Sequence, residues 1–291
     1  MASPLLLMEM PIEVLQRVFA YCHPREASMF SQASRAAYNL IYFPDDQYLW
    51  RQLYLNYPFD HPEVAEHRRL EQKVNFSSEP QPINYSERLI GLIKAEKAAS
   101  NPPPTTEEET DALNAFISLA QELPVYSDTD CLSLNVDWLE KTLENAPLLT
   151  QPHSTHSPND DQGERESLRA RLRCYLRSSF KDTEATLSKT QEEFFVTKRN
   201  RSRCFVYDLR NYTSESRWGP FTPDNRVNWV HVEHLMNVVW MNLCEYPLRT
   251  LLRPRIGVSA VRPHSATGNY LTDDWAGVEG DHHSCCIFSP I

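Results

Sequence analysis

Apolar residues recur at helical spacing along most of this chain. Behind Pro11, which suits the first turn of a helix, Leu15, Val18, Phe19 and Cys22 fall at i, i+3, i+4 and i+7. His23-Pro24 stops that helix and starts another, in which Phe30, Ala33, Ser34, Ala37 and Leu40 or Ile41 repeat the stripe with small residues that let helices approach closely. Pro44-Asp45-Asp46 marks a turn, and Leu49, Trp50 and Leu53 begin a helix that folds back. Moderately polar helices are expected over 63–74 and 85–98, the second with Leu89, Ile90, Leu92 and Ile93 on its buried side. TDALNAFISLAQEL places Leu113, Phe116, Ile117 and Ala120 in register, and NVDWLEKTLENA (135–146) reads as a helix capped by Asn135. Leu168, Leu172, Tyr175 and Leu176 line one face of a later helix. CFVYDLRNY (204–212) reads as a strand or extended core segment. The helix over 228–246 is the most apolar in the chain. Val232, Leu235, Met236, Val239, Met241 and Leu243 face nearly all round, so burial is expected. The pattern predicts a mainly α fold: an N-terminal helical hairpin, then a mostly helical C-terminal region with a few short strands.

Two stretches interrupt the pattern. SNPPPTTEEET (100–110) carries three prolines that exclude helix, and its acidic run favours the start of the next one. LTQPHSTHSPNDDQGERE is low in complexity and reads as an exposed, disordered loop. The resulting organisation is an N-terminal module over 1–57, a helical connector over 58–99 and an acidic, proline-containing linker over 100–111. A helical segment over 112–149, a loop over 150–166 and a C-terminal region over 167–291 follow.

Composition narrows the classes. At 291 residues with six tryptophans the chain can bury a real core. The leucines at 5 to 7 lack a basic lead-in and Glu9 interrupts them, so no secretory signal is read; no apolar run approaches the ~20 residues of a membrane span. Seven cysteines without framework spacing fit a reducing compartment, cytoplasmic or nuclear. Net charge is −10, but residues 101–166 hold 14 Asp/Glu against two basic residues, so the acidity belongs to one middle segment. Nucleic-acid and membrane partners are not expected.

The first fifty residues carry the most specific signal. Leu7, Met10-Pro11, Glu13, Leu15, Val18, Phe19, Met29-Phe30, Ser34, Arg35 and the Leu49-Trp50 pair resemble the F-box, the helical module that plugs a receptor into Skp–cullin–F-box ubiquitin ligases. Met10 stands where Leu usually precedes the proline, Glu26-Ala27 replaces Asp-Leu, and Tyr38 replaces a common Trp. The alternative is an ordinary helical hairpin packed on the rest. Independently of the resemblance, a module of about 45 residues sits near the lower limit for a self-sufficient core. Leu5 to Met8, Met10 and Ile12 add apolar surface that a partner groove would absorb. The resemblance implies that Leu7, Met10, Pro11, Ile12, Leu15, Val18, Phe19, Phe30, Leu49 and Trp50 bind a Skp-type adaptor and, through it, a cullin. YDLRNYTSESRWGPF, VNWVHVEHLMNVVWMNL and DDWAGVEG resemble a segment of F-box proteins of mushroom-forming fungi, with no client or catalytic role attached. Those proteins continue past the Trp-Ala-Gly-Val-x-Gly element, so the chain is expected to stop inside its C-terminal domain.

Candidate chemistry is sparse. The seven glycines form no GxGxxG or GxxxxGK[ST] loop, and neither G-x-S-x-G nor HExxH occurs. His282-His283-Ser284-Cys285-Cys286 offers metal ligands, but adjacent ligands point apart and no C-x-x-C lies elsewhere, so an incidental polar tail is preferred and neither metal nor cofactor is expected. Arg165, Arg169, Arg173 and Arg177, with Lys198-Arg199-Arg201-Arg203, read either as an anion- or degron-binding surface or, preferably, as a solvated face pairing with the acidic middle segment. His231 and His234 beside Glu233 read as a helix rim. Trp218, Trp229 and Trp275 are the candidate client-binding residues, since a surface tryptophan is a typical hot spot. The expected function is that of a non-enzymatic receptor holding an unknown protein client, with no catalytic residue of its own. The alternatives are an interaction protein stabilised by the adaptor and an enzyme with an appended F-box.

Overall fold

The computed structural model describes residues 10–43, 47–63, 83–101, 103, 105–121, 133–144, 146–150, 160–176 and 189–245. The chain is mainly helical, and among the described residues the β pairing is a single antiparallel bridge between Phe221 and Val227. The expected helix over 63–74 lies, beyond its first residue, outside the described residues, as do Leu7, Arg177, Trp275 and the His282–Cys286 cluster.

Four short helices form the N-terminal module: α1 (Ile12–Ala20), α2 (Pro24–Ser31), α3 (Arg35–Tyr42) and α4 (Tyr48–Leu55). Each start has a local cause. Pro11 stands at the N-cap of α1, just outside the first turn, and its carbonyl accepts from Val14 and Leu15 N–H. His23 caps α2 by accepting from the Arg25 N–H at 3.1 Å, while Glu26 accepts from the His23 N–H at 3.1 Å and Pro24 takes the first helical position. Ser34 caps α3 by accepting from the Ala37 N–H. Helix α1 packs on α4, and α2 on α3. The centre is Leu15, Phe19, Leu40, Ile41, Leu49, Trp50 and Leu53, all buried. Trp50 satisfies its indole by donating to the Ile41 carbonyl at 2.8 Å, so its large apolar area is buried without a lost hydrogen bond.

The module continues into a stack: α4 packs on α5 (Tyr85–Ser100), α5 on α6 (Thr106–Gln121), α6 on α9 (Asp160–Tyr175), α9 on α11 (Trp229–Glu245), and α11 on α10 (Lys189–Tyr207). Two smaller helices, α7 (Leu134–Leu143) and α8 (Pro147–Thr150), buttress α5, and α7 also touches α6. One continuous core runs from Leu15 to Leu176. Two carboxylates fix the turn out of α4. Glu63 accepts from Arg51 at 3.1 Å and from the Tyr85 hydroxyl at 2.8 Å. Asp60, buried, accepts from the Leu134 N–H at 3.0 Å and from the Ser133 hydroxyl, while its own N–H donates to Asn135 Oδ1 at 2.9 Å.

Several sequence expectations change. The cap of α7 is Ser133, which accepts from Val136 N–H; Asn135 is buried inside the helix and occupied with Asp60. The proline-containing linker ends sooner than residue 111, because α6 begins at Thr106 with Glu107, Glu108 and Glu109 in its first turn. The loop over 150–166 ends at Asp160, where α9 begins. CFVYDLRNY is not a strand: α10 runs through Tyr207 and a 3-10 turn follows over Leu209–Asn211. Helix α11 is not enclosed all round, since Val239 is 59% exposed.

Candidate partner-binding surfaces

Helix α1 has two apolar stripes. Leu15 and Phe19 turn inward. Val14, Val18 and Tyr21, at i, i+4 and i+7, turn outward and are 45%, 44% and 79% exposed. At 100° per residue the outer stripe lies about 100° from the inner one. With Glu13 and Arg17 it lines a shallow open groove. Ile12 is also exposed, Met29 projects from α2, and Tyr38 and Phe43 form a ring pair at 5.8 Å. These side chains leave an exposed apolar set on the outer side of the N-terminal helices, while Leu15 and Phe19 are closed into the core.

The residues expected to bind an adaptor therefore divide. Pro11, Ile12 and Val18 are exposed. Met10 is half-buried, and Phe30 is half-buried with its ring 4.5 Å from Phe19. Leu15, Phe19, Leu49 and Trp50 are closed inside the module and can act only by holding α1 in place. Val14, Tyr21 and Met29 were missed as surface residues. The spacing Val14–Val18–Tyr21 was the signal for two of them, hidden because it overlaps the inner stripe.

The arginine stripe on α9 is neither a solvated face nor an open anion site. Arg165 and Arg169 pair with Glu109 of α6, and the Arg169 Nε donates to the Leu148 carbonyl at 3.1 Å. Arg173 meets Glu233 of α11 through two bonds of 2.8 Å and Glu166 at 2.6 Å, and donates to the Leu149 carbonyl at 3.2 Å. Burial works against the charge on Arg173, but the hydrogen bonds and field of Glu233 and Glu166 outweigh it and hold its pKa above the ordinary value. Lys198 reaches Glu233 at 3.9 Å, and burial pulls its ammonium below its ordinary pKa. Pairing with the acidic middle segment is thus real at Glu109, in the interior of the stack.

His231 is no rim residue: it is 2% exposed, with its ring edge-on to Phe205 at 5.2 Å and Tyr212 at 5.0 Å. His234 stacks on Phe205 at 4.5 Å and shares a 3.0 Å hydrogen bond with Ser202 Oγ, which also accepts from Asn237 Nδ2 at 3.2 Å. A serine–histidine contact of this kind resembles the start of a nucleophile site. Ser202 is wholly buried, however, so no substrate can approach it. Among the described residues no three His, Cys, Asp or Glu side chains stand together to hold a metal ion.

The tryptophans separate as well. Trp218 is 70% exposed on the loop between α10 and α11, where Arg217 and Trp218 take φ of 51° and 60°. Left-handed backbone at two consecutive non-glycine residues costs about 1–2 kcal/mol each. Hydrogen bonds from Trp218 N–H to the Thr213 carbonyl (2.9 Å) and from Arg217 N–H to the Ser214 carbonyl (3.1 Å) hold it. Tyr207 and Leu209 are exposed nearby in sequence. Trp229 is instead an internal contact, half-buried edge-on to Tyr175 with Arg171 over its ring at 5.1 Å. Among the described residues no helix is long and apolar enough to cross a membrane.

Comparison of this chain with models of protein families, with curated proteins and with solved structures finds no match.

Proposed function

We propose that this chain is the substrate-recognition subunit of a Skp–cullin–F-box ubiquitin ligase. Its N-terminal module docks on a Skp-type adaptor, and its C-terminal region holds a protein client. The observation that carries the reading is the outward stripe of α1: with Leu15 and Phe19 already closed into the core, the same helix still presents Val14, Val18 and Tyr21 to solvent. A helix with a free apolar face fits a groove on a partner, each buried anchor contributing about 1.5–3 kcal/mol. On the client side Trp218 is the better anchor of the tryptophans, being exposed and held on a hydrogen-bonded loop. The receptor performs no bond chemistry. Its contribution is proximity, raising the effective concentration of client lysines near a charged conjugating enzyme.

The test is capture of recombinant Skp-type adaptor by the full chain and by a Val14→Asp/Val18→Asp variant. Charging two outer positions removes at least about 3 kcal/mol of apolar burial, so affinity falls by a hundredfold or more. Far-UV circular dichroism and the melting temperature should stay close to those of the parent, because neither side chain is in the core. Unaltered capture by the folded variant, or no capture by the parent chain, overturns the assignment.

A further inference from the structure

Helices α10 and α11 enclose a cluster that neither partner surface uses. His231 and His234 lie one turn apart on α11, and both rings rest against the Phe205 ring from α10, the first edge-on and the second stacked. The His231 Nε2 is buried with no hydrogen-bond partner, and so is Asn237 Oδ1. Ser202, wholly buried, accepts from the Asn237 amide at 3.2 Å and shares a 3.0 Å hydrogen bond with His234 Nδ1. The loop that presents Trp218 is tied to this cluster at both ends. At its start, the Tyr212 ring rests edge-on against His231, and Asn211 donates to the Phe205 carbonyl at 2.7 Å. At its end, Asn228 Oδ1 accepts from the backbone N–H of His231 at 3.1 Å, in the first turn of α11.

We propose that the α10–α11 junction is an acid-operated latch, which at neutral pH holds the 208–228 loop in place through uncharged His231 and His234 and releases it as the two imidazoles take up protons. Charging them would put two like charges three residues apart in a buried site. The surrounding charges compound this. Helix α10 brings Arg201 and Lys198, whose charges disfavour protonation of His234; Arg203 on the same helix is bonded to Asn242 at 2.8 Å, and Arg173 of α9 is held by Glu233 and Glu166. Glu233, paired with Arg173 and Lys198, favours charge on His234, but burial outweighs it. Tyr212 and Phe205 offer only ring edges and faces. Burial moves both imidazoles below their ordinary value of 6.5. The opened junction therefore binds more protons than the closed one. Stability present at and above pH 6.5 is lost as pH falls below it.

Hydrogen–deuterium exchange on the full chain at pH 7.5 and 5.5, corrected for the intrinsic pH dependence of exchange, tests the latch. Protection over 203–214 and 229–242 should fall at pH 5.5, by up to about tenfold for each imidazole that takes up a proton only in the open form, while α5 stays unchanged. His231→Phe with His234→Gln should abolish that fall, since Phe keeps an aromatic ring against Phe205 and Tyr212 and the uncharged Gln amide can either donate to or accept from Ser202. Equal protection of the parent at both pH values overturns the proposal, as does an undiminished fall in the double variant. Should that variant not fold, nuclear magnetic resonance titration of the two imidazoles in the unaltered chain decides. Midpoints below 6.5 support the latch, and midpoints at or above 6.5 overturn it.

Discussion

Replacing Asp60 by Ala would loosen the junction between the N-terminal module and the helices that follow. The carboxylate accepts from Leu134 N–H at 3.0 Å and from the Ser133 hydroxyl, and the residue is buried. Truncation leaves the first N–H of α7 unpaired away from water, at about 1–3 kcal/mol, and removes a second charge-assisted bond. The hydroxyl keeps partial use because it accepts from Val136 N–H at 3.3 Å. The total is about 3 kcal/mol, or roughly 6–12 °C in melting temperature for a chain of this size. Asp60→Asn retains one acceptor and should cost about half as much. The backbone bond from Asp60 N–H to Asn135 Oδ1 survives in both variants. Differential scanning calorimetry of the parent, Asp60→Ala, Ser133→Ala and the double variant measures the coupling, expected near 1–2 kcal/mol. A melting temperature for Asp60→Ala within about 2 °C of the parent would refute the assignment of Asp60 as the joint.

Two further predictions rest on the interior of the stack. Glu233→Gln removes one of the two acids on Arg173, Glu166 remaining, and should destabilise the chain by about 1–3 kcal/mol in urea unfolding, whereas no measurable loss would mean the pair is solvated. Cys174 is buried, and burial pushes its thiol up to about 12, so near pH 8 a thiol-reactive probe should label exposed Cys204 readily and Cys174 only after unfolding; equal labelling rates in the folded chain would contradict the packing of α9.

Helix positions were legible wherever one stripe dominated. Leu89, Leu113 and Phe116 announce α5 and α6, and the acidic run ahead of Leu113 correctly marks the start of α6. What periodicity cannot give is orientation when apolar residues cover more than half a helix. In α1 it joined Val18 to Leu15 and Phe19, although Val18 faces water. Long-range partners account for the other differences. Ser133 and Asn135 are both good caps, and Asp60, more than seventy residues away, decides between them. A four-residue arginine spacing reads alike on a solvated and a buried face until Glu109 and Glu233, each sixty residues off, are brought in. CFVYDLRNY has strand-forming composition, but Phe205 packs against both His231 and His234 from a helix, and tertiary contact overrides propensity.

The two stripes of α1 place adjacent residues under unrelated constraints. In a mutational scan read both by cellular abundance and by complex formation, substitutions at Leu15 and Phe19 would lower both signals together, because the folded population itself shrinks. If the outer stripe docks on an adaptor as proposed, substitutions at Val14, Val18 and Tyr21 would leave abundance intact and lower complex formation alone. Rotation about a single helix axis would then separate inherited loss of the protein from inherited loss of its assembly. Changes at the outer positions could be compensated by changes in the partner, and changes at the inner positions only from within this chain.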